Sequence, residues 1–203
     1  GMATNVYKNV IAIGGEADLF TNKNWQEITK TRFIDFNMNH MFLRVDKNDD
    51  KYSTSDITKI DFQKYKGIIV SDYNKGFLST DDIEFICSKH DNVFIDTKKT
   101  LGDWCRNAKF IKINKAEYER TKHTIGKDLE EKLIITLGRN GCMHSGKTYP
   151  VIDVQIKDLS GAGDTFISGF VVKYLQAFNV HEAIVFANEC ATKVVQKRGT
   201  CTV

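Results

Sequence analysis

Four short β-branched runs decide what this chain can fold into. They are Gly67-Ile68-Ile69-Val70-Ser71, Asn92-Val93-Phe94-Ile95-Asp96, Lys109-Phe110-Ile111-Lys112-Ile113 and Leu133-Ile134-Ile135-Thr136-Leu137. Each is near-continuously apolar, as a strand buried on both faces must be. Each is separated from the next by enough chain for a helical crossover. Ser79-Thr80-Asp81-Asp82 opens one such helix, predicted to run through His90 with Ser79 as its N-cap. Asn114 can cap another that begins Lys115-Ala116-Glu117. The pattern predicts an α/β fold: a mostly parallel central sheet with helices on both faces, three layers in all.

The flanks are less regular. Residues 9–15 read as a further buried strand running into a glycine turn, 25–30 as a short helix, and 32–37 with 41–46 as two strands around Met38-Asn39-His40. Residues 47–55 read as a polar, exposed loop. Gly138-Arg139-Asn140-Gly141 is the turn of an antiparallel hairpin at one edge. Residues 149–156 read as β-rich, and two helices, about 162–177 and 180–197, finish the chain. With no internal repeat and no linker, residues 1–203 are expected to form a single domain.

Composition narrows the function. The net charge of +3 and the scattered Lys and Arg give no nucleic-acid footprint. No apolar run approaches membrane-spanning length. The five cysteines show no C-x-x-C spacing, which argues against a zinc site or a disulfide framework and suits a reduced, cytoplasmic protein. The histidines are dispersed, without metal-ligand spacing.

The richest stretch for chemistry is Lys157-Asp158-Leu159-Ser160-Gly161-Ala162-Gly163-Asp164-Thr165-Phe166, where a loop becomes a helix. First-turn amides and the positive end of the helix dipole attract phosphate. Gly161 and Gly163 carry no Cβ to keep an anion away. Asp164 beside that anion is placed as a general base for a hydroxyl nucleophile, or is simply an acidic first-turn residue. Asn114-Lys115-Ala116-Glu117 has the spacing of a capping box, and equally of a carboxylate, Glu117, that holds a hydrated Mg²⁺ near phosphates. Asp72 and Lys75, and Asp96 and Lys98, follow buried strands, where ligands of open α/β sheets gather, though solvated turns look the same. Arg44 is either a ligand clamp or part of an alternating edge strand. Gly141-Cys142-Met143-His144-Ser145-Gly146-Lys147-Thr148 spells a phosphate-binding P-loop letter for letter. It runs into Tyr149-Pro150 rather than a helix, so it is read as a hairpin strand and turn instead.

Together these segments resemble the ribokinase-like, or PfkB, carbohydrate kinases. Asp158 to Phe166 is similar to that family's D-[T/S/V]-[T/S]-G-A-G-D-x-F signature, with Leu159 a departure at a variable position. Ser71-Asp72-Tyr73-x-Lys75-Gly76, Ile95-Asp96-x-Lys98, Asn114-x-x-Glu117, Thr136-x-Gly138-x-x-Gly141 and Phe186-Ala187-Asn188 follow the family's order. Leu43-Arg44-Val45-Asp46 and the ending Gly199-Thr200-Cys201-Thr202-Val203 bring the likeness closest to the bacterial heptose-7-phosphate kinases. The resemblance implies ATP and Mg²⁺, a sugar or sugar-phosphate acceptor, and Asp164 as base with the amides of Gly161, Ala162 and Gly163 as an anion hole. It further implies Asn114, Ser160, Thr136, Gly138, Gly141 and Asn188 around the nucleotide, Glu117 at the metal, and Asp72, Lys75, Arg44, Asp96 and Lys98 toward the acceptor.

Residues 31–203 form the family-matching core, and 1–30 a reduced N-terminal region. The family's G-D-x-x-x-D and G-G-A-x-N elements are not found, Gly14-Gly15-Glu16-Ala17-Asp18 being an ambiguous remnant of one or the other. The lid is therefore expected to be reduced or absent. Relatives that dimerise through the lid make a homodimer the expected assembly, if there is one. A nucleotide-binding or regulatory module without a complete sugar site is the alternative reading.

Overall fold

The four β-branched runs become the parallel part of one sheet. A computed structural model describes residues 2–35, 41–49 and 56–203. Its helices are α1 (Met2–Ala12), α2 (Thr80–Lys89), α3 (Lys115–Thr121), α4 (Lys127–Glu130), α5 (Ala162–Ala177) and α6 (Val180–Val195). Its strands are β1 (Thr29–Ile34), β2 (Met41–Lys47), β3 (Ile68–Asp72), β4 (Val93–Thr97), β5 (Phe110–Asn114), β6 (Leu133–Thr136), β7 (Cys142–His144) and β8 (Lys147–Tyr149). The main sheet has six strands in the order β3-β4-β5-β6-β7-β8. The first four pair in parallel and the last two add antiparallel, as the hairpin turn predicts.

Alternation along each strand divides two cores. Ile95, Ile111, Ile113, Leu133 and Ile135 meet Ile83 and Ile86 of α2 on one face. Phe94, Phe110 and Ile134 meet Phe166, Ile167, Phe170 and Tyr174 of α5, Ile184 of α6, and Val6 and Val10 of α1 on the other. Each of the large side chains that is fully enclosed stabilises the fold by roughly 1.5–3 kcal/mol. On the α5 face Phe94, Phe110, Phe170 and Tyr174 form a ring cluster with mostly edge-to-face contacts and centroids 5.2–6.4 Å apart.

Two expectations fail. Residues 9–15 were predicted as a strand, but Asn9 to Ala12 are the last turn of α1, whose Asn5, Val6, Asn9 and Val10 turn inward against α5. The i, i+1, i+4, i+5 spacing is helical, and the short apolar run at its end misleads alone. The β-rich run 149–156 supplies only Tyr149 to a strand; residues 150–156 form none, because no further strand lies beyond β8 to pair with them.

The short helix at 25–30 shrinks to one 3₁₀ turn, Trp25–Glu27. The two strands expected at 32–37 and 41–46 are present as a separate antiparallel pair, β1 against β2. Met38-Asn39-His40 and most of the 47–55 loop lie outside the described residues.

Candidate active site

The carboxyl ends of β3, β4, β5 and β6 and the first turn of α5 converge on one region. Asp72 ends β3, Asp96 and Thr97 end β4, Asn114 ends β5 and Thr136 ends β6. On β4 and β5 the residues at even positions face α5, so Phe94 and Phe110 enter the core below while Asp96 and Lys112 point at the α5 N-terminus above.

Gly161 is the N-cap of α5 and has φ of +85°, a left-handed conformation that only glycine adopts without strain. Gly163 lies so close to the sheet that a Cβ there would stand 2.7 Å from Lys112 Nζ. The glycines of the loop are thus needed for its shape.

Asp164 has no exposed surface. Asn5 Nδ2 donates to its Oδ2 at 2.8 Å, and the Tyr73 hydroxyl donates to Oδ1 at 3.4 Å. Burial pushes its pKa up to about 6; the Asn5 bond opposes this, Asp96 adds to it, and Lys112 and the Tyr73 bond oppose it. A carboxylate tuned toward neutrality is poised to take a proton.

Two cavities flank this residue. One, of about 140 Å³, is lined by Thr136, Gly138, Gly141, Asn188, Ala162 and Gly163 among others. The other, of about 930 Å³, is lined by Asp72, Tyr73 and Lys75 and extends under α1. The sequence-predicted nucleotide residues therefore gather on one side of Asp164, except Asn114 and Ser160. Asn114 caps α3, and the Ser160 amide donates to Asp158 at 2.8 Å. Asn188 donates to the Tyr149 carbonyl at 3.1 Å, fixing the wall of the smaller cavity.

Most of the predicted acceptor residues are already partnered. Asp72 accepts from Thr97 Oγ1 at 2.8 Å, Lys99 Nζ at 2.7 Å and the Asn74 amide at 3.0 Å, so it shapes the loop after β3. Asp96 pairs with Lys112 at 3.0 Å. Lys98 pairs with Glu117 and lies over the Tyr73 ring, 5.4 Å from its centre. Lys75 reaches Asp49 at 3.0 Å, and Asp49 in turn takes Lys30 of β1 at 3.3 Å, tying the small sheet to the site. Arg44 on β2 grips Asp46 through two bonds of 2.8 and 2.6 Å.

Glu117 accepts from Lys98, from Asn114 Nδ2 at 2.7 Å and from the Asn114 amide at 2.8 Å. Three of a carboxylate's roughly four acceptor positions are filled. The residue fits a metal-bound water rather than direct coordination, and among the described residues no cluster of three potential ligands exists.

Sequence reasoning missed Asn5, Tyr73, Lys99 and Lys112. Asn5 carried a usable signal: two asparagines, Asn5 and Asn9, stand i, i+4 on an otherwise apolar helix face. Ala3-Thr4-Asn5 also matches the last three positions of the G-G-A-x-N element that was not found, whereas Gly14-Gly15 lie after α1.

The profile of the pfkB family carbohydrate kinases matches residues 16–203. The chain belongs to this family. Among curated pfkB relatives, the bifunctional protein HldE of Helicobacter pylori strain J99 is 31% identical over 201 residues, which cover 84% of this chain and 43% of that protein. HldE of Nitratiruptor sp. is 26% identical over 253 positions, covering all of this chain and 54% of that protein. The chain thus spans about half the length of these relatives. Because 253 aligned positions accommodate 203 residues, the Nitratiruptor protein also carries residues inside the matched stretch that this chain lacks. Ribokinase from Thermotoga maritima shares the fold, with a TM-score of 0.73 at 15% identity, covering 98% of this chain and 82% of the other. The nucleoside kinase of Methanocaldococcus jannaschii gives 0.74 at 17%, with 98% and 81% covered.

Proposed function

We propose that the chain is an ATP-dependent kinase acting on a hydroxyl of a sugar or sugar phosphate, with the anomeric hydroxyl of heptose 7-phosphate as the best-supported acceptor. The observation that carries this is Asp164, buried in the first turn of α5, whose neighbours Ala162 and Gly163 line the cavity of the nucleotide-type residues and whose partner Tyr73 lines the larger one. With a pKa near 6 the carboxylate is mostly ionised at neutral pH and able to accept a proton. The acceptor oxygen attacks the γ-phosphorus, the bond from that phosphorus to the β–γ bridging oxygen breaks, ADP leaves, and the hydroxyl proton passes to Asp164. The first-turn amides of α5 face the phosphoryl oxygens, where charge is stabilised without reorganisation.

When bound, Mg²⁺ would neutralise phosphate charge, held mainly by the nucleotide, with Glu117 accepting from one of its waters. The heptose reading draws support from the HldE relatives and from Lys75 and Lys30, cations that line the larger cavity and share Asp49. Phe33, Leu43 and Val45, which share one exposed face of the β1–β2 pair, suit a contact with a second copy of the chain.

Purified protein with ATP, Mg²⁺ and heptose 7-phosphate should release ADP, and Asp164→Asn should abolish that release. Undiminished turnover in the variant would remove Asp164 as the base. A second reading, a nucleotide-binding module without a complete sugar site, is favoured by the internal residues that HldE has and this chain lacks. Calorimetric ATP binding with no turnover over a panel of sugars would establish it instead.

A further inference from the structure

Both oxygens of Asp164 are occupied, by donors of different kinds. Asn5 is built in. Asn9, itself fully buried, donates to the Asn5 carbonyl at 2.9 Å and accepts from Thr165 Oγ1 at 3.2 Å. Ser168 Oγ bonds both the Val6 carbonyl, at 3.1 Å, and that of Asp164, at 2.7 Å. Helix α1 is thereby fastened to α5 at Val6 and Asn9, just beyond Asn5.

Tyr73 is different. It sits in the loop after β3, beside Asn74, whose φ is +53°. Its contact to Asp164 is at the long limit for a hydrogen bond between oxygens. Tyr73 lines the 930 Å³ cavity, whereas neither Asp164 nor Asn5 does. Tyr73 thus touches both the cavity and the Asp164 carboxyl.

We propose that Tyr73 is a gate and positioning residue: its hydroxyl occupies the place of the acceptor hydroxyl on Asp164 Oδ1, and the acceptor reaches the base by displacing it. This rests on the kinase reading above. The exchange is cheap, because the incoming hydroxyl replaces one long hydrogen bond with its own. Until then the ring keeps water from the base, which suppresses transfer of the γ-phosphoryl group to water. The charged and titratable groups around Asp164 are Asp96 of β4 and Lys112 of β5 beneath it, and Lys98 and Glu117 behind Tyr73. Of these groups and Tyr73, only Tyr73 is among the residues that line the larger cavity.

The test compares Tyr73→Phe and Tyr73→Ala in the full chain by carbon-13 titration of the Asp164 carboxyl, alongside ATP turnover with and without heptose 7-phosphate. Phe keeps the wall and removes the donor, so the Asp164 midpoint rises above that of the wild type, and the acceptor KM falls. Ala opens the wall, so the midpoint drops toward the ordinary aspartate value and acceptor-independent ATP hydrolysis rises severalfold. A residue that only supports the fold would leave the titration of Asp164 where it is. Identical midpoints in all three proteins, or an acceptor KM raised in Tyr73→Phe, would overturn the gate. Wild-type protein that never turns over, yet titrates as described, would overturn the kinase reading while leaving the shielding of Asp164 intact.

Discussion

Asp96 and Lys112 stand directly opposite each other on adjacent parallel strands, their charged ends 3.0 Å apart, with 2% and 5% of their side chains exposed. The lysine ammonium lies under the first turn of α5 and the aspartate beside the base, so the pair sets both the floor and the field of the site. Breaking a buried pair by removing one partner costs about 3–5 kcal/mol. Asp96→Asn is expected to lose stability on that scale and to move the acid limb of kcat/KM to lower pH, since a negative neighbour of Asp164 is gone. Lys112→Met should move the limb the other way. Denaturant melts and a pH–rate profile check both, and limbs shifting in the same direction would refute the electrostatic account.

Asp164 gives stability a pH dependence of definite sign. Its pKa rises from 3.8 to about 6 on folding. Between those values the folded protein holds a proton that the unfolded chain has released, so stability falls as pH rises through the window, and the loss persists above it. Asp164→Asn should therefore be more stable than wild type at pH 8, by at most roughly 3 kcal/mol, and no more stable at pH 4. Equal stabilities at both pH values would contradict the burial of this carboxylate.

Gly161→Ala puts a side chain on a residue at φ +85° and 2.7 Å from Asn5 Nδ2. The backbone strain alone costs about 1–2 kcal/mol. The displaced asparagine should release Asp164 Oδ2, so kcat falls more than thermal stability explains. A Gly161→Ala enzyme with unchanged kcat would show that the Asn5 contact is dispensable.

Lys147 belongs to the sequence that spells a P-loop, yet it opens β8, exposed, with its ammonium 5.1 Å from the centre of the Tyr149 ring. Lys147→Ala should leave ATP binding intact and shift stability by no more than about 0.5 kcal/mol. Loss of nucleotide affinity would reopen that motif.

The parts of the site that could be read in the sequence are those whose local pattern and tertiary role agree. Asn114 and Glu117 do form a capping box at a strand-to-helix junction, and Gly161 does turn the chain into α5. What escaped notice depends on pairing across the fold. The even register of Asp96 and Lys112 is set by which face of the sheet α5 covers, and no local signal distinguishes Lys98, which meets Glu117, from Lys99, which meets Asp72. Residues 9–15 and 150–156 share a related ambiguity: short β-branched runs become strands only where a neighbour offers a ladder, and otherwise join a helix or line a cavity.

The bond between Asn5 and Asp164 spans 159 positions of the chain. The hydrogen-bonded state of Asp164 is therefore a property of two distant stretches held together, absent from either alone. A piece bearing α5 without α1 would leave Oδ2 without its Asn5 partner, so the environment of that one carboxyl reports whether the two stretches have met.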